Sequence, residues 1–439
     1  VCLQMYGMRR NPGHTRSKIS SRRYCSQIAS LRNAQMNRPA NDMHTNGAQS
    51  PDTTRILLVN HVSRISGAEK GLLNTVSALL HAGYAPMVIL PRPGTLSSSL
   101  KRLGITVGYI NIPRFKKTWN PARLTVYAFQ WVAGIRALTN FIRNHDIRIV
   151  HANSSTSQLF AGPATRITGI PCIWHCRDLA SPGPAGILMS KTASRIVAVS
   201  RAVELHLRSY SRDHDRICII PNCVNLAEMP EINGIPETRA ELGALPETFL
   251  AGFAGQLVPW KKPDVFLRVI PSVLKINPNI RFALAGDDMF NDNPGYVRDL
   301  RKTACKPEIQ NSVVFAGYRQ DIEHFLSAID VLVHTAEKEP FGRILIEAMA
   351  LGKPVIAVNK NGPSEIIENG VNGILVEPDD HNGFAENICR LAEDRKLAHR
   401  LGSRAREHVR QNFNFPLFES RIRRLYEDLR GTGNKREEA

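Results

Sequence analysis

Two series of alternating strands and helices run through the 439-residue chain, and this alternation constrains the fold more than any other feature. The first series begins with an apolar run at 56–59, followed by a Ser/Gly loop and a helix from about 69 to 80. A continuous apolar run suits a strand buried on both faces. Parallel strands need a crossover connection, which is usually a helix. The pattern therefore predicts βαβ units in a parallel sheet.

A stretch between 222 and 248 interrupts the alternation, and it is rich in Pro, Gly and Glu. Such composition is typical of a domain boundary. Two doubly wound α/β domains follow from this, with post-strand loops facing an interdomain cleft. The predicted segments are a disordered basic tail at 1–54, an N-terminal Rossmann-like domain at 55–225, a linker at 226–247, a C-terminal Rossmann-like domain at 248–415, and a helix at 416–431 that crosses back to the N-terminal domain.

The chain is basic, with 57 Lys and Arg against 39 Asp and Glu, so its net charge is +18. This charge favours anionic partners: nucleic acid, an anionic membrane or a phosphorylated small molecule. The tail at 1–54 has eight bases and two acids. It is interpreted as disordered, with a targeting peptide or a mis-called start as open alternatives. No apolar run reaches the roughly 18–20 residues of a membrane span.

Eight cysteines are scattered through the chain. The pairs Cys172/Cys176 and Cys218/Cys223 lack the spacing of a zinc site with a second complete pair. They are predicted to be buried thiols in and beside strands. This usage favours a reducing compartment and gives no indication of a bound metal.

The stretch "EKEPFGRILIEAMALGKPVIAV" joins a predicted strand to a predicted helix. Pro340 suits the first turn of a helix, and Gly342 allows a ligand to approach the backbone. A helix N-terminus binds anions, and the carboxylates of Glu339 and Glu347 could accept sugar hydroxyls. The alternative is an ordinary ion pair of Glu347 with Arg343, at roughly 0.3–0.5 kcal/mol, and a helix-dipole role for Glu339. This stretch alone leaves both readings open.

Three other loops follow predicted strands. "FAGQLVPWKKPD" offers Lys261 and Lys262 at a loop-to-helix junction, where lysines can clamp a diphosphate, although a solvated basic helix start would look the same. "NKNGPSEIIENG" offers Gly362, and "HVSRISGAEKG" places Gly67 at a turn before a helix. The chain has no GxGxxG and no GxxxxGK[ST], which weakens dinucleotide and P-loop interpretations.

Together these pieces resemble the donor-binding signature of family 4 glycosyltransferases of the GT-B fold, roughly E-x-F-G-x-x-x-x-E-A-M-A-x-G-x-P-V-I. "SGAEKGLLN", "IVHANS", "VAVSRAV", "IIPNCVN" and "GQLVPWKK" occur in the family's order, so the resemblance spans roughly 55–430. It implies a retaining, metal-independent hexosyltransferase without a cofactor. The donor would be a UDP-, GDP- or ADP-sugar bound by the C-terminal domain, and the N-terminal domain would bind a glycan or lipid-linked acceptor.

The resemblance also implies roles for individual residues. Glu339, His175 and Lys261 are the catalytic candidates: Glu339 would bind the donor sugar's hydroxyls, His175 would lie beside that sugar, and Lys261 would neutralise the diphosphate. The implied donor-binding set is Gly67, Gln256, Lys261, Lys262, Tyr318, Arg319, Glu339, Phe341, Gly342, Glu347 and Gly362. Within it, Glu347 would hold the ribose, and the backbone at Tyr318 and Arg319 would read the base.

The sequence departs from the family at four places. Gln256 stands where the family usually has Arg, so that one diphosphate cation is missing or comes from Lys262 or Arg201. Trp260 replaces an acid, Lys262–Pro263 replaces a common glycine step, and Asn361–Gly362–Pro363 replaces a double glycine. A double displacement would need a carboxylate on the face opposite the leaving group. We expect front-face substitution instead.

Other functions are compatible with parts of this sequence. A nucleotide-sugar epimerase or a phosphorylase shares the architecture, and a membrane or nucleic-acid binder would use the positive charge. No RNA-binding or zinc motif supports nucleic acid. "RFKKTW" at 114–119 mixes bases and aromatics, which favours peripheral contact with an anionic membrane as an addition, with a solvated loop as the alternative. The expected location is the cytoplasm, at the inner face of the membrane, in polysaccharide or cell-envelope glycan biosynthesis.

Overall fold

A computed structural model describes residues 54–116, 118–180, 183–229 and 231–437. It confirms the predicted α/β class, with two separate parallel sheets of seven and six strands. The first 53 residues, which comprise nearly all of the predicted tail, lie outside the described residues. Within the described part of the chain, no helix is long and apolar enough to cross a membrane.

The chain divides into two compact units. The N-terminal unit contains the described residues up to Val199, Val203–Ile220 and the residues from Phe418 onward. Its strands are β1 (Arg55–Val59), β2 (Ala85–Leu90), β3 (Thr106–Tyr109), β4 (Ile149–Ala152), β5 (Cys172–Cys176), β6 (Arg195–Ala198) and β7 (Ile217–Ile219). The helices between them are α1 (Gly67–His81), α2 (Thr95–Arg102), α3 (Pro121–Asn144), α4 (Ser155–Thr168), α5 (Pro184–Thr192) and α6 (Arg201–Arg208).

The N-terminal sheet has the strand order β3-β2-β1-β4-β5-β6-β7, and each pairing is parallel. The order reverses between β1 and β4, which makes their carboxyl ends the switch point where doubly wound sheets bind ligands. One core lies between the sheet and helices α3 and α4. Leu57 and Val150 of the sheet face Leu138 of α3 and Phe160 of α4 there. The first domain is therefore a doubly wound parallel sheet, the class that the sequence alternation predicts.

The C-terminal unit contains Ser200–Ala202 and Pro221–Leu417. Its strands are β8 (Leu250–Ala254), β9 (Arg281–Ala285), β10 (Val313–Gly317), β11 (Val331–His334), β12 (Val355–Val358) and β13 (Ile374–Val376). Its helices are α7 (Ile235–Glu241), α8 (Pro263–Ile276), α9 (Pro294–Ala304), α10 (Ile322–Ala328), α11 (Arg343–Ala350), α12 (Gly362–Ile366), α13 (His381–Glu393) and α14 (Arg395–Asn412). The last helix of the chain, α15 (Phe415–Glu437), continues from this unit.

The C-terminal sheet has the order β10-β9-β8-β11-β12-β13, again with parallel pairings. Its switch point lies between β8 and β11. The core joins Phe253 and Phe282 of the sheet to Phe266 of α8 and Phe384 of α13. Loops after β8 and β11 therefore emerge side by side, which is what positions the candidate site.

The segment predicted as a linker, 226–247, differs from that prediction. It belongs to the C-terminal unit and contains α7. Arg239 anchors it, since its guanidinium donates to the carbonyls of Ala328 (2.6 Å) and Thr248 and to the Asp330 carboxylate (3.1 Å). A Pro/Gly/Glu-rich composition indicated a boundary but could not reveal this one buried anchor.

Two further features differ from the sequence interpretation. The stretch 381–412 forms α13 and α14, neither of which was predicted, and α2 and β3 were missed in the N-terminal unit. The described cysteines are free, and Cys172, Cys176 and Cys223 are buried as expected. Cys305, however, is exposed after the end of α9.

Candidate functional site

The predicted donor-site residues of the C-terminal unit lie beyond the carboxyl ends of its strands. Lys261 follows β8 and Glu339 follows β11, so the two loops flank the switch point of the sheet. The Lys261 ammonium contacts the Glu339 carboxylate directly. It also lies 4.4 Å from the centroid of the Trp260 ring. The structure therefore brings two of the three predicted catalytic residues together.

Glu339 is buried, with 6% of its surface exposed. Burial alone would raise the pKa of its carboxyl. The Lys261 charge and a 3.0 Å hydrogen bond with His334 Nε2 outweigh burial and lower that pKa to about 2. Glu339 is therefore ionised at neutral pH, and it can accept hydrogen bonds but cannot supply a proton. The other His334 ring nitrogen, Nδ1, is buried and has no hydrogen-bond partner among the described residues.

The backbone after Glu339 adopts a conformation that requires glycine. Gly342 has φ +97°, the left-handed region, and lies just before α11 rather than inside it. The helix therefore begins at Arg343, three residues after Pro340, which was expected in its first turn. Gly362 packs equally closely, because a Cβ there would lie 2.4 Å from the Phe341 backbone. Its N–H donates to the Glu339 carbonyl at 3.1 Å.

Glu347 differs from its predicted placement off the buried face of the helix. It is buried on α11, and its carboxylate pairs with Arg343 Nε at 2.8 Å. The ion pair between Arg343 and Glu347, which the sequence offers as the alternative to a binding role, is thus present. A ribose would have to share this carboxylate with Arg343, and the ribose role of Glu347 stays a prediction.

Lys262 occupies a different environment from Lys261. It has φ +50°, unusual for a residue with a side chain, and it precedes α8. Its ammonium contacts Glu337 and lies 3.4 Å from Asp379, so two carboxylates already face it. The Thr335 hydroxyl donates to the Lys262 carbonyl at 2.7 Å, which holds this strained turn against β11. Lys262 is therefore a poorer substitute than expected for a missing diphosphate cation.

Gln256 lies on the same loop, directly after Gly255. That loop touches the end of β9, since a Cβ on Gly286 would come within 1.8 Å of the Gly255 carbonyl. The Gln256 carbonyl accepts from the Val258 N–H at 3.0 Å, which closes a tight turn. The loop therefore presents Gln256 next to the Lys261 turn.

Tyr318 and Arg319 follow β10, and Tyr318 is exposed. The Arg319 guanidinium is held by Asp321 and by Glu241 of α7, each at 2.7 Å. These acids raise the pKa of Arg319 although burial opposes them. The Arg319 side chain is thus committed to the fold, which agrees with a role for its backbone only.

His175 lies within β5. It is fully buried, and its Nδ1 lies 3.2 Å from both His151 Nε2 and Arg177 Nη2. Because a guanidinium only donates, Nδ1 must accept and the neutral ring carries its proton on Nε2. Burial and the Arg177 charge hold the pKa of His175 well below its usual value. His175 Nε2 has no partner among the described residues.

The His175 side chain belongs to a longer polar network in the N-terminal unit. His151 Nδ1 lies 2.7 Å from the Tyr426 hydroxyl of α15, and burial with Arg177 lowers the pKa of His151 to about 3. Arg177 Nε donates to Asn153 at 3.1 Å, and Asn153 donates to Asn60 at 3.0 Å. Asn60 and Asn153 follow β1 and β4, so this network occupies the switch point of the N-terminal sheet.

Gly67 is the first residue of α1, after the cap Ser66. The nearby Glu69 is buried, and its carboxylate accepts from the Ser66 N–H and from Asn60 Nδ2, each at 3.2 Å. Burial raises the pKa of Glu69 although these hydrogen bonds oppose the effect. Gly67 therefore joins the N-terminal network through its helix start.

Sequence reasoning missed several residues that share these sites. His334 and Thr335 close the strand stretch "IDVLVHT", and His151 and Arg177 likewise sit at or after strand ends. The rule that found Glu339, a polar residue at the carboxyl end of a buried strand, would have found all four. Tyr426 had no such signal, because it lies 275 residues from His151 in the sequence. Among the described residues, no group of three or more His, Cys, Asp or Glu could hold a metal ion.

Two family models match the chain in succession. Residues 65–228 match Glycosyltransferase Family 4, and residues 234–408 match Glycosyl transferases group 1. The first match covers most of the N-terminal unit and the second most of the C-terminal unit.

Individual relatives are more distant. The chain is 25% identical over 311 residues to the UDP-Gal:alpha-D-GlcNAc-diphosphoundecaprenol alpha-1,3-galactosyltransferase of Escherichia coli, covering 67% of this chain and 78% of that protein. It is 30% identical over 245 residues to the D-inositol 3-phosphate glycosyltransferase of Streptomyces scabiei, covering 53% of this chain and 54% of that protein. The chain thus spans about half the length of the latter relative.

Solved structures share the fold. HepE of Anabaena in complex with UDP-glucose matches with a TM-score of 0.75 at 24% identity, over 85% of this chain and 99% of HepE. Sucrose-phosphate synthase of Thermosynechococcus elongatus matches with a TM-score of 0.71 at 19% identity, over 86% and 100%. With both units matched by glycosyltransferase models and the fold by these structures, the chain belongs to the GT-B glycosyltransferases, as a Family 4 domain followed by a group 1 domain.

Proposed function

We propose that this glycosyltransferase transfers a hexose from a nucleotide sugar to a glycan or lipid-linked acceptor, with retention at the anomeric carbon and without a metal. The observation that carries the donor assignment is the contact between Lys261 and the ionised Glu339 at the switch point of the C-terminal sheet. A cation and a fixed carboxylate side by side match the two parts of a sugar diphosphate. The cation would contact a phosphate group, and the carboxylate would accept hydrogen bonds from the sugar hydroxyls.

The chemistry of the leaving group explains the role proposed for Lys261. Departure of a nucleoside diphosphate develops negative charge, and a fixed cation lowers the barrier when it meets that charge. The first N–H groups of α11 have no partners within the helix and add positive potential nearby. Lys261 would exchange part of its contact with Glu339 for the diphosphate when the donor binds.

Glu339 is proposed to orient the sugar. Its low pKa keeps it ionised, which suits acceptance of two sugar hydroxyls and argues against general-acid catalysis. We infer front-face substitution, in which the bond to the diphosphate breaks as the acceptor oxygen bonds on the same face. The departing phosphate oxygen takes the acceptor's proton.

The names of two similar proteins support the donor and acceptor classes. HepE was solved with UDP-glucose, and the Escherichia coli relative is named for UDP-Gal and a diphosphoundecaprenol acceptor. UDP-hexoses are therefore the first donors to test, and polyprenyl diphosphate sugars the first acceptors.

A donor screen tests the proposal. Purified protein is incubated with UDP-, GDP- and ADP-hexoses, with and without acceptor and after EDTA treatment, and products are followed by NMR. We expect nucleotide release from one base class, transfer with the donor's anomeric configuration, and no loss after EDTA. Inversion would refute retention, EDTA sensitivity that added metal restores would refute metal independence, and conversion to an epimeric sugar would indicate the epimerase reaction.

Mass spectrometry of the protein during turnover tests the front-face step. A glycosyl adduct on Glu339 or Glu347 would refute it. We expect the intact protein mass to stay unchanged while donor is consumed.

A further inference from the structure

One stretch of the N-terminal unit contains no acidic residue. Between Glu69 and Asp146 there are 76 residues without Asp or Glu, and they include ten of the chain's Lys and Arg. This stretch carries +10 of the net +18. The ten bases are Lys70, Arg92, Lys101, Arg102, Arg114, Lys116, Lys117, Arg123, Arg136 and Arg143, of which Lys117 lies outside the described residues.

The topology gathers this charge at one edge of a sheet. The stretch contains β2, α2, β3 and α3, and β3 is the edge strand of the seven-stranded sheet. Lys101 of α2 lies 5.6 Å from the ring centroid of Tyr109 on β3, so a base and an exposed aromatic meet at this edge. The edge therefore carries bases that come from a stretch without acidic residues.

Helix α3 adds an apolar surface to the same edge. All of its fully buried residues lie at or after Gly134, and the first half of the helix reaches the core only through the partly buried Trp131. Phe129 is 75% exposed, and Leu124, Val126 and Val132 are exposed beside it. Trp119, just before the helix, is 88% exposed. Five large apolar side chains thus face solvent within 14 residues, where scattered single ones would be ordinary.

The inner side of this region is firmly held. Asn120 caps α3 by accepting from the N–H groups of Ala122 (3.0 Å) and Arg123 (3.3 Å). On the inner face, Trp131 Nε1 donates to the Leu159 carbonyl at 2.8 Å. The helix start is therefore fixed, and its outward apolar residues are a feature of an ordered surface.

We propose that the outer face of α3, together with Trp119, docks on an anionic lipid bilayer. An apolar face flanked by Arg123 and Arg136 matches an interfacial helix, which buries its apolar residues at the headgroup level while bases attract anionic lipids. A soluble polyanion would need the bases only and gains nothing from exposed Phe129 and Val126. Docking on a bilayer would bring the enzyme to the lipid-linked acceptor proposed above. The docking proposal does not depend on the proposed donor chemistry.

Vesicle flotation of the full chain tests the proposal. The protein is floated with phosphatidylglycerol-containing vesicles and with pure phosphatidylcholine vesicles, at low and high salt. We expect binding to the anionic vesicles, with at least an approximately tenfold loss for Trp119→Ser/Phe129→Ser and for Arg123→Glu/Arg136→Glu. Circular dichroism checks that each variant folds.

Matched controls come from other exposed positions. Leu205→Ser/Ile276→Ser removes two other exposed apolar side chains, and Arg404→Glu/Arg406→Glu reverses two exposed bases of α14. We expect both controls to float like the parent, and all variants to hydrolyse donor at the parent rate. No flotation of the parent, or equal losses in the controls, would overturn the proposal. The proposal would also be overturned if Arg123→Glu/Arg136→Glu weakened retention on heparin while Trp119→Ser/Phe129→Ser floated like the parent. The partner would then be a soluble polyanion.

Discussion

Replacing Glu339 by Gln should remove a pH-dependent part of the stability of the C-terminal unit. The carboxyl has a folded pKa of about 2 against an ordinary value of 4.5, because Lys261 and His334 outweigh the effect of burial. A lowered pKa stabilises the fold above the unfolded value, and the contribution disappears as pH falls through the folded value. At about 1.36 kcal/mol per pKa unit, the contribution at neutral pH is on the order of 3 kcal/mol.

The variant should therefore be less stable than the parent by about 3 kcal/mol at pH 7. It also leaves Lys261 next to a neutral amide, with 15% of the lysine side chain exposed. The difference should shrink between pH 4.5 and 2, since the parent's carboxyl becomes protonated there. The two proteins should converge near the lower end of this range.

Urea unfolding between pH 7 and 2.5 measures this difference. The reporter is the ¹⁹F resonance of 5-fluorotryptophan at Trp260. By sequence, Trp260 is the only tryptophan of the C-terminal unit. Glu386→Gln, at an exposed position of α13, serves as the matched control and should follow the parent at every pH. A stability gap for Glu339→Gln that stays constant down to pH 2.5 would refute the linkage argument.

Four other substitutions test three separate parts of the structure. Lys261→Ala should lower transfer activity about 100-fold or more, whereas Lys262→Ala should lose only a few-fold because two carboxylates already engage it; equal losses in steady-state kinetics would contradict this. Gly362→Ala should destabilise the C-terminal unit by about 2–4 kcal/mol, since its Cβ meets backbone at 2.4 Å, and an unchanged urea midpoint would contradict the packing. Tyr426→Phe should cost about 1–2 kcal/mol by leaving the buried His151 nitrogen unpaired, and a cost near zero would mean that water replaces the hydroxyl.

The fold could be predicted from sequence because parallel strands leave a direct signal. Runs such as 56–59 are apolar on both faces, and the helix predicted from about 69 to 80 is α1, which spans Gly67–His81. The stretch 381–412 was missed although it forms two helices. Its polar, Arg-rich composition carries the helical period weakly, and its burial depends on packing against α8 and α11 that sequence alone does not show.

The site was predictable only in part. Lys261 and Glu339 were found because each follows a strand in a recognised motif, and parallel topology then brings their loops together. The direct contact between Lys261 and Glu339 could not be predicted, and neither could the 3.0 Å hydrogen bond between His334 and Glu339. Both depend on the directions of side chains, which the sequence does not show. The contact of His175 in β5 with His151 in β4 could not be predicted either, because it too depends on side-chain directions.

The placement of Tyr426 bears on how the N-terminal unit is synthesised. This buried side chain belongs to α15, at the end of the chain, yet it completes the polar network around His151 in a strand made some 275 residues earlier. A nascent chain that has emerged from the ribosome only as far as β7 would lack the Tyr426 hydroxyl. It would also lack the apolar face of α15. Domains generally fold as they emerge from the ribosome. Here the first domain must wait, partly assembled, until the second has been translated, so a fragment ending at 220 should be a poor substitute for the intact unit.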